Sequence, residues 1–317
     1  MTADGGGPDG PRNDREFALG DPDELSGRER AAVEACLRTL ADDEFVLAER
    51  YTEWQVRGPT LESDLAVANI AQDELGHARL WYDLLSDFGY AESELIWERP
   101  PGDFRHATLV ERPVERGDWA DAVVRGFLYD EFESLRLEAL AETEYPRIAD
   151  RVGKVRSEEH YHRDHARNWL ERLVDDDPSE GGTGTESHRR VQAAVDRLFP
   201  HALTLFTPTE REPDIVDLGV RPTPLSELRR EWLETVVPVL RGFGLSPPVA
   251  TDAGAETVDE LLPAAAGRDR GHTDAWFDLY DEFTFTYRQL DRDEATRLMT
   301  DPDEAADGTV RHGGGRR

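Results

Sequence analysis

The stretch IAQDELGHARLWYDLL, residues 70–85, decides the fold because it sets an ionisable pair inside a helical pattern. Glu74 and His77 form a Glu-x-x-His, and residues three apart share one face of a helix. The surrounding apolar residues recur at the spacing of a buried helical stripe; they are Ile70, Ala71, Leu75, Leu80, Trp81, Leu84 and Leu85. The pair is therefore either part of a solvated acidic face or half of a metal site.

A second Glu-x-x-His, Glu159 and His162, lies within another helical pattern in SEEHYHRDH, residues 157–165. Acidic residues make up 68 of 317, so this spacing also arises by chance. It recurs with aspartate at His106 and His272, which follow proline or glycine and are interpreted as loop residues. Context therefore separates the two helical pairs from the others.

Each Glu-x-x-His is predicted on the second helix of an antiparallel hairpin. Residues equidistant from the turn of such a hairpin lie at the same height. Reflecting Glu74 through the Gly-Pro turn leads to Glu44, and reflecting Glu159 through the turn before Pro146 leads to Asp130. Each hairpin thus offers one acid on its first helix and a Glu-x-x-His on its second.

This combination is the ligand set of a dinuclear, carboxylate-bridged metal site in a four-helix bundle. Carboxylates bridge two ions, imidazole suits iron, and open positions on the pair admit O₂. Without metal, four converging carboxylates would be costly to bury. The first hairpin is predicted to supply one iron and the second the other, with carboxylates bridging: Glu44, Glu74 and His77, then Asp130, Glu159 and His162.

Neighbouring acids are alternatives to the two single-acid ligands. On the first helix these are Glu49 and Glu53, and on the third helix they are Glu131 and Glu133. The composition places a carboxylate almost anywhere, so spacing alone does not choose between them.

The composition is strongly acidic, with 68 acidic against 37 basic residues and a formal net charge of −31. Lys154 is the only lysine, and such a surface indicates a salt-rich cytoplasm, in which repulsion is screened. No basic patch suggests nucleic-acid binding. Cys36 is the single cysteine and is predicted to be core, so neither a disulfide framework nor a thiolate site is expected. With no signal peptide or apolar membrane-length run recognised, a soluble cytoplasmic protein is expected.

The chain reads as all-α, with a bundle of two long hairpins and further C-terminal helices. Helices are predicted over about 26–54, 60–88, 118–140, 146–174, 191–205, 224–240 and 272–290. The predicted organisation is a disordered tail at 1–25, the di-iron hairpin pair at 26–175, a flexible acidic loop at 176–187, helices of the same domain at 188–295, and a disordered tail at 296–317.

Several stretches together resemble the phenylacetyl-CoA epoxidase family, also called phenylacetate-CoA oxygenase. They are ERYTEWQVRGPTLESDLAVANIAQDELGHARLWYDLL from residue 49, SEEHYHRDH, RRVQAAVDRLFPHALTLF at 189–206, PLSELRREWLETVVPVL, and GRDRGHT at 267–273. The resemblance covers roughly residues 26–275 and is greatest to the C-type member of that complex. The combination is specific, although no single stretch is.

The resemblance implies a ferritin-like fold. It also implies a multicomponent enzyme that uses a di-iron centre and O₂ to epoxidise the ring of phenylacetyl-CoA, with electrons from a reductase. In that family the A-type chain carries the iron ligands and the C-type chain is usually structural. Here QDELGH, residues 72–77, and EEHYH are similar to A-type motifs. The expectation is therefore a di-iron monooxygenase subunit that works with sister subunits; the alternatives are a non-catalytic scaffold and a ferritin-like iron-oxidising protein.

Other residues receive weaker interpretations. Arg79, Arg125 and Arg156 are candidates for CoA phosphates, although ion pairing with the many acids is the simpler expectation. His160 and His165 either support the metal ligands from behind or are exposed. The helix predicted over 276–290, WFDLYDEFTFTYRQL, either caps the bundle or docks a partner.

Overall fold

The computed structural model describes residues 17–113, 118–175 and 186–289, and within these residues it is helical with no strand. The predicted all-α class is therefore confirmed. The helices are α1 (Gly27–Thr52), α2 (Leu61–Ser86), α3 (Thr108–Glu111), α4 (Trp119–Leu140), α5 (Pro146–Asp175), α6 (Glu186–Ala202), α7 (Glu212–Asp217), α8 (Leu225–Gly242), α9 (Ala255–Asp259) and α10 (Asp274–Gln289). None of these described helices is long and apolar enough to cross a membrane.

The long helices begin where their sequences satisfy free backbone N–H groups. Ser26 and Glu29 form a capping box before α1. The Thr60 side chain accepts a bond from the backbone of Ser63 at the start of α2. Pro146 opens α5, where its fixed φ suits a first helical turn. These signals set the starts of three of the four helices that carry predicted ligands.

The core of the molecule is two hairpins. Helix α1 packs along α2, α4 packs along α5, and α2 meets α5, so the two Glu-x-x-His helices are neighbours. This arrangement is consistent with a ferritin-like bundle. Helices α6 and α8 cover the outer side of α4, where the Trp232 indole donates a hydrogen bond of 3.0 Å to the Leu128 carbonyl.

Helix α10 packs over the segment that joins the two hairpins. The Trp276 indole donates to the Pro101 carbonyl at 2.9 Å, and the Tyr280 hydroxyl donates to the Arg99 carbonyl at 2.7 Å. Its other face leaves Phe277 and Phe285 exposed. These contacts agree with the capping interpretation of this helix.

The joining segment is more structured than its prolines and glycines suggested. It contains a π-helical turn (Ser93–Trp97), a 3₁₀ turn (Pro101–Asp103) and the buried helix α3. Residues 17–25, which the sequence interpretation assigns to a tail, include Leu19, buried with its N–H bonded to the Glu144 carbonyl at 3.1 Å. The remaining predicted tail residues, 1–16 and 296–317, most of the acidic loop, 176–185, and residues 290–295 of the predicted helical region lie outside the described residues.

Candidate metal centre

The six predicted ligands lie together in the middle of the bundle. Glu44 is on α1, Glu74 and His77 are on α2, Asp130 is on α4, and Glu159 and His162 are on α5; all six are at most 3% exposed. Donor atoms of Glu44, Glu74, His77 and Glu159 lie within 4.8 Å of one another. Three helices thus bring three carboxylates and one imidazole to one buried point, and Asp130 of α4 and His162 of α5 line the cavity beside it.

The two imidazoles approach this point from adjacent helices. His77 Nδ1 lies 3.5 Å from Glu44 Oε2 and 3.3 Å from Glu159 Oε1. His162 Nδ1 lies 3.5 Å from Glu74 Oε1 and 3.2 Å from the same Glu159 oxygen. The ring centroids are 6.2 Å apart, so Glu159 lies between the two histidines.

The donor-atom contacts cross between the two hairpins, and the expected division of the ligands included such bridging carboxylates. Glu159 of the second hairpin contacts His77 of the first, and Glu74 of the first contacts His162 of the second. The carboxylates are therefore shared across the hairpins, because α2 and α5 are neighbours in the bundle. Reflection within a hairpin fixes heights and carries no information about this pairing.

The outward ring nitrogens are held by a reciprocal pair of acids. His77 Nε2 bonds to Glu158 at 2.8 Å, and His162 Nε2 approaches Asp73 at 3.3 Å. A hydrogen bond donated by Nε2 leaves the Nδ1 lone pair free for a metal. Both acids immediately precede the glutamate of a Glu-x-x-His, a repeated signal that the sequence interpretation missed.

The inward-facing atoms have no hydrogen-bond partners. Most buried polar atoms in proteins are hydrogen-bonded, so each exception requires a cause. The unpartnered atoms are both carboxylate oxygens of Glu44, Glu74 and Glu159, Oδ1 of Asp130, and Nδ1 of His77 and His162. Oxygen and imidazole donors that are buried, convergent and unpaired fit the requirements of a pair of metal ions.

Most other buried acids are neutralised by arginine. Asp42 is paired with Arg99 and Asp43 with Arg136 and Arg268, at 2.5–2.9 Å. Asp121, Glu131 and Glu133 likewise face arginines. By contrast, Glu74, Asp130 and Glu159 pair with no arginine among the described residues, and Glu44 reaches only Arg136 at 3.8 Å. Two divalent cations would balance these four carboxylates.

The pKa values of the candidate ligands show which of them hold a proton in the absence of metal. Burial, reinforced by Glu159, raises the pKa of Glu74 and of Asp130 well above their ordinary values. Burial opposes ionisation of Glu159 too, but the adjacent imidazoles of His162 and His77 lower its pKa to about 2. Burial opposes the charge on His162, yet Glu159 raises its pKa to about 10. Without a cation, Glu74 and Asp130 therefore favour the protonated form, and the imidazole of His162 balances the charge of Glu159.

The alternative acids lie elsewhere. Glu53 pairs with Arg50, and Glu131 pairs with arginines of α5. Burial and the carboxylates of Glu282 and Glu53 raise the pKa of Glu49 to about 7. Glu133 is buried on α4 and is ion-paired with Arg136. Glu44 and Asp130 are therefore the acids that the structure brings to the histidines.

The histidines and arginines that received weaker interpretations lie in different parts of the structure. His160 is exposed near Asp164, so it does not support the ligands, whereas His165 lines a small cavity beside the centre. Arg125 is buried and donates to the Arg112 carbonyl instead of pairing with an acid. Arg79 approaches Asp83 at 4.0 Å, and Arg156 lines an open groove that reaches Glu159. Cys36 is buried as expected, which raises the pKa of its thiol to about 11.

A second buried cluster, His106, Glu111 and His272, was missed because its members were interpreted singly as loop residues. His272 Nδ1 bonds to Glu111 Oε1 at 2.6 Å, and Thr273 donates to Glu111 Oε2 through N–H and hydroxyl at 2.8 and 2.6 Å. Both oxygens of this carboxylate are hydrogen-bonded, unlike those of the metal centre. We interpret the cluster as a clamp that fixes residues 267–273 to α3.

Comparison with known proteins adds two findings. The family model described as phenylacetic acid catabolic protein matches residues 18–263. The chain is similar to the C-type component of 1,2-phenylacetyl-CoA epoxidase from Escherichia coli (strain K12), with 32% identity over 196 residues. That alignment covers 61% of this chain and 75% of the Escherichia coli protein.

Proposed function

The chain belongs to the phenylacetic acid catabolic protein family, and from this premise we propose that it is an oxygenase subunit that carries its own di-iron centre. The reaction proposed is the O₂-dependent epoxidation of the ring of an aryl-CoA thioester such as phenylacetyl-CoA. The similarity to a C-type epoxidase component supports a role in phenylacetate catabolism within an oxygenase complex. The proposed partners are sister subunits and a reductase that delivers electrons.

The observation that carries this proposal is the set of four buried carboxylates, three of which pair with no arginine in the described part of the chain while Glu44 has only Arg136, at 3.8 Å. Glu44, Glu74, Asp130 and Glu159 would hold two iron ions together with His77 and His162. When bound, such a pair supplies two-electron reduction of O₂ and transfer of one oxygen atom to the substrate. A chain serving purely as scaffold has no need for a buried cluster of Glu44, Glu74, His77 and Glu159 with His162 and Asp130 beside it.

Residues around the candidate ligands orient the imidazoles and balance charge. Asp73 and Glu158 orient the imidazoles so that both Nδ1 atoms face inward. Arg136 pairs with Asp43 at 2.7 Å and also lies 3.8 Å from Glu44, so it balances part of the negative charge there. The candidate ligands are at most 3% exposed, so little bulk water reaches them, which strengthens electrostatic interactions there.

Two other functions are compatible with the fold. A structural subunit would bind a catalytic sister chain and take up no iron, and the similarity to a C-type epoxidase component favours this candidate. A ferritin-like iron-oxidising protein would bind iron but would show no dependence on an acyl-CoA. Iron content and thioester dependence separate the three.

The test begins with anaerobic reconstitution of the purified chain with Fe(II), followed by iron analysis and Mössbauer spectroscopy. The proposal expects about two iron ions per chain and a coupled pair. Glu74→Ala should lower the iron content, while Glu138→Ala, an exposed acid on α4, serves as the matched control. If the wild-type chain binds no iron, the oxygenase proposal fails and the structural-subunit function remains.

The second step adds the reductase and sister subunits and measures O₂ consumption with phenylacetyl-CoA. O₂ consumption that depends on the presence of phenylacetyl-CoA supports the oxygenase proposal. Iron oxidation at the same rate with and without thioester supports iron handling instead.

A further inference from the structure

A cavity of about 30 Å³ lies beside the predicted metal ligands. Asp130 and His162 form one wall, and Val67 and Ile70 form part of an apolar wall. A volume of this size accommodates a water-sized or diatomic molecule, whereas a cavity that binds benzene measures about 150 Å³. The occupant is therefore a small molecule and not an aromatic ring.

Tyr51 also lines this cavity. It stands on α1 two turns after Glu44, on the same face of the helix, and it is 4% exposed. Its hydroxyl makes no hydrogen bond with another residue in the described part of the chain. A buried phenol usually finds a partner, so this hydroxyl is free to donate to an occupant of the cavity.

Gly126 keeps the space open. A Cβ at this position of α4 would lie 3.2 Å from the Tyr51 hydroxyl and 3.8 Å from Asp130 Oδ2. Any side chain would therefore intrude between the hydroxyl and the ligand carboxylate. Glycine costs about 1 kcal/mol in a helix interior, which makes this position unfavourable for the helix alone.

We propose that this cavity is the binding site for dioxygen beside the metal pair, and that the Tyr51 hydroxyl donates a hydrogen bond to the bound molecule. The inference rests on the proposed function, because the cavity acquires this role only if Asp130 and His162 hold a metal. Tyr51 acts here as a binding residue, and Gly126 sets the size limit.

Two probes test the two parts of this inference. Xenon, detected by ¹²⁹Xe NMR on the metal-free full-length chain, reports whether the cavity takes up an apolar gas. Nitric oxide, titrated anaerobically into the Fe(II)-loaded chain and followed by visible absorption, reports binding of a diatomic at the metals. Neither readout depends on turnover.

Three variants separate shape from hydrogen bonding. Tyr51→Phe should leave xenon binding intact and weaken nitric oxide binding roughly two- to tenfold, the range of one hydrogen bond. Gly126→Ala should lose xenon binding and suits the helix, so its thermal stability provides the folding check. Tyr145→Phe is the matched control, because its hydroxyl is also buried and unpartnered but does not line the cavity.

The outcomes distinguish this inference from the proposed function. Iron uptake with unchanged nitric oxide affinity in Tyr51→Phe overturns the role of Tyr51 and leaves the oxygenase proposal standing. Exclusion of xenon from the wild-type cavity overturns the dioxygen site. A chain that takes up no iron overturns both proposals, and iron analysis detects that case before either probe is added.

Discussion

At the scale of single residues, the candidate metal ligands are expected to favour metal binding at a cost to the stability of the metal-free chain. Glu74 is buried, its oxygens have no hydrogen-bond partners, and burial with its neighbouring carboxylates raises its pKa well above the ordinary value. A buried glutamate that is paired with arginine recovers part of its desolvation cost, whereas Glu74 has no such partner in the described part of the chain and lowers the stability of the metal-free chain. Removing its charge should therefore have opposite effects on folding and on metal binding.

Glu74→Gln is expected to raise the free energy of unfolding of the metal-free chain by about 1 kcal/mol or more at pH 8, because a neutral amide no longer has to be protonated to be buried. The same variant should lose iron at one or both positions. Urea unfolding with chelator present and iron analysis after reconstitution measure the two effects. A metal-free variant less stable than wild type would assign Glu74 a structural role.

Glu158 and Asp73 lead to a second residue-scale prediction. Their side chains are 36% and 40% exposed, so their loss should disturb folding little. Glu158→Gln removes the carboxylate that orients His77, and Asp73→Asn removes the one facing His162. Each should weaken metal affinity about 10–100-fold, which Co(II) titration measures.

The control for these two variants is Asp164→Asn, an exposed acid near the exposed His160. It makes the same change of charge without touching a ligand. Equal metal affinities in all three variants and wild type would remove the proposed orienting role of Glu158 and Asp73.

At the scale of helices, the relative heights of the candidate ligands and the presence of bridging carboxylates follow from the sequence, whereas the individual contacts between carboxylates and histidines do not. Two antiparallel helices rise equally per residue, so Glu44 and Asp130 follow from the positions of Glu74 and Glu159 once the turns are recognised. Which carboxylate meets which histidine depends on how α2 packs against α5. That packing is a tertiary property without a local signal in either helix.

Residues 267–273 connect the C-terminal region to α1, the helix that carries Glu44. Arg268 has a left-handed φ of 55° and donates to both oxygens of Asp43, at 2.9 and 2.8 Å. Asp43 precedes Glu44 and also holds Arg136. The strained backbone persists because the surrounding bonds determine it.

Arg268→Ala is expected to destabilise the chain by about 3 kcal/mol, because it removes one partner of a buried ion pair. Combined with Asp43→Asn, the loss should be smaller than the sum of the single losses, since the two side chains interact. Thermal or urea unfolding measures all four chains. Arg270→Ala, an exposed arginine of the same segment, is the control, and strict additivity would contradict the coupling.

The clamp of His106, Glu111 and His272 predicts an acid response. Burial, together with His272, lowers the pKa of His106 to about 4, so the folded chain keeps this ring neutral. Below its unfolded pKa near 6.5 the unfolded chain takes up a proton that the folded chain does not. Stability is therefore full above pH 6.5 and is lost as pH falls from 6.5 to 4.

The adjacent imidazoles of His106 and His272 lower the pKa of Glu111 despite its burial, so its contribution is also lost on acidification, below pH 4.5. His106→Phe should remove about 2 kcal/mol of the stability lost between pH 6.5 and 4.5. Urea unfolding at both pH values measures the difference. His160→Phe, at an exposed histidine, should leave the wild-type pH dependence unchanged, and a His106→Phe chain with that same dependence would contradict the assignment.

At the scale of the whole molecule, sequence and structure differ most where distant segments meet. The hairpins could be predicted because each is encoded within about sixty residues by caps, turns and apolar stripes. The clamp joins residues more than 150 positions apart, and the cavity at Tyr51 is formed by four helices. No local pattern marks either, because each residue taken alone is ordinary for a helix or a loop.

The net charge of −31 belongs to the molecule as a whole and supports the last prediction. Repulsion among exposed carboxylates opposes the compact state, and salt screens it over a Debye length of about 10 Å at 0.1 M and 3 Å at 1 M. The melting temperature should therefore rise by about 5 °C or more between 0.1 and 2 M KCl at pH 7.5. Screening predicts a smaller rise at pH 4.5, where many exposed carboxylates are protonated and the repulsion is weaker. Equal melting temperatures in low and high salt at pH 7.5 would refute a salt-adapted surface, and an equal rise at both pH values would attribute the effect to hydrophobic burial.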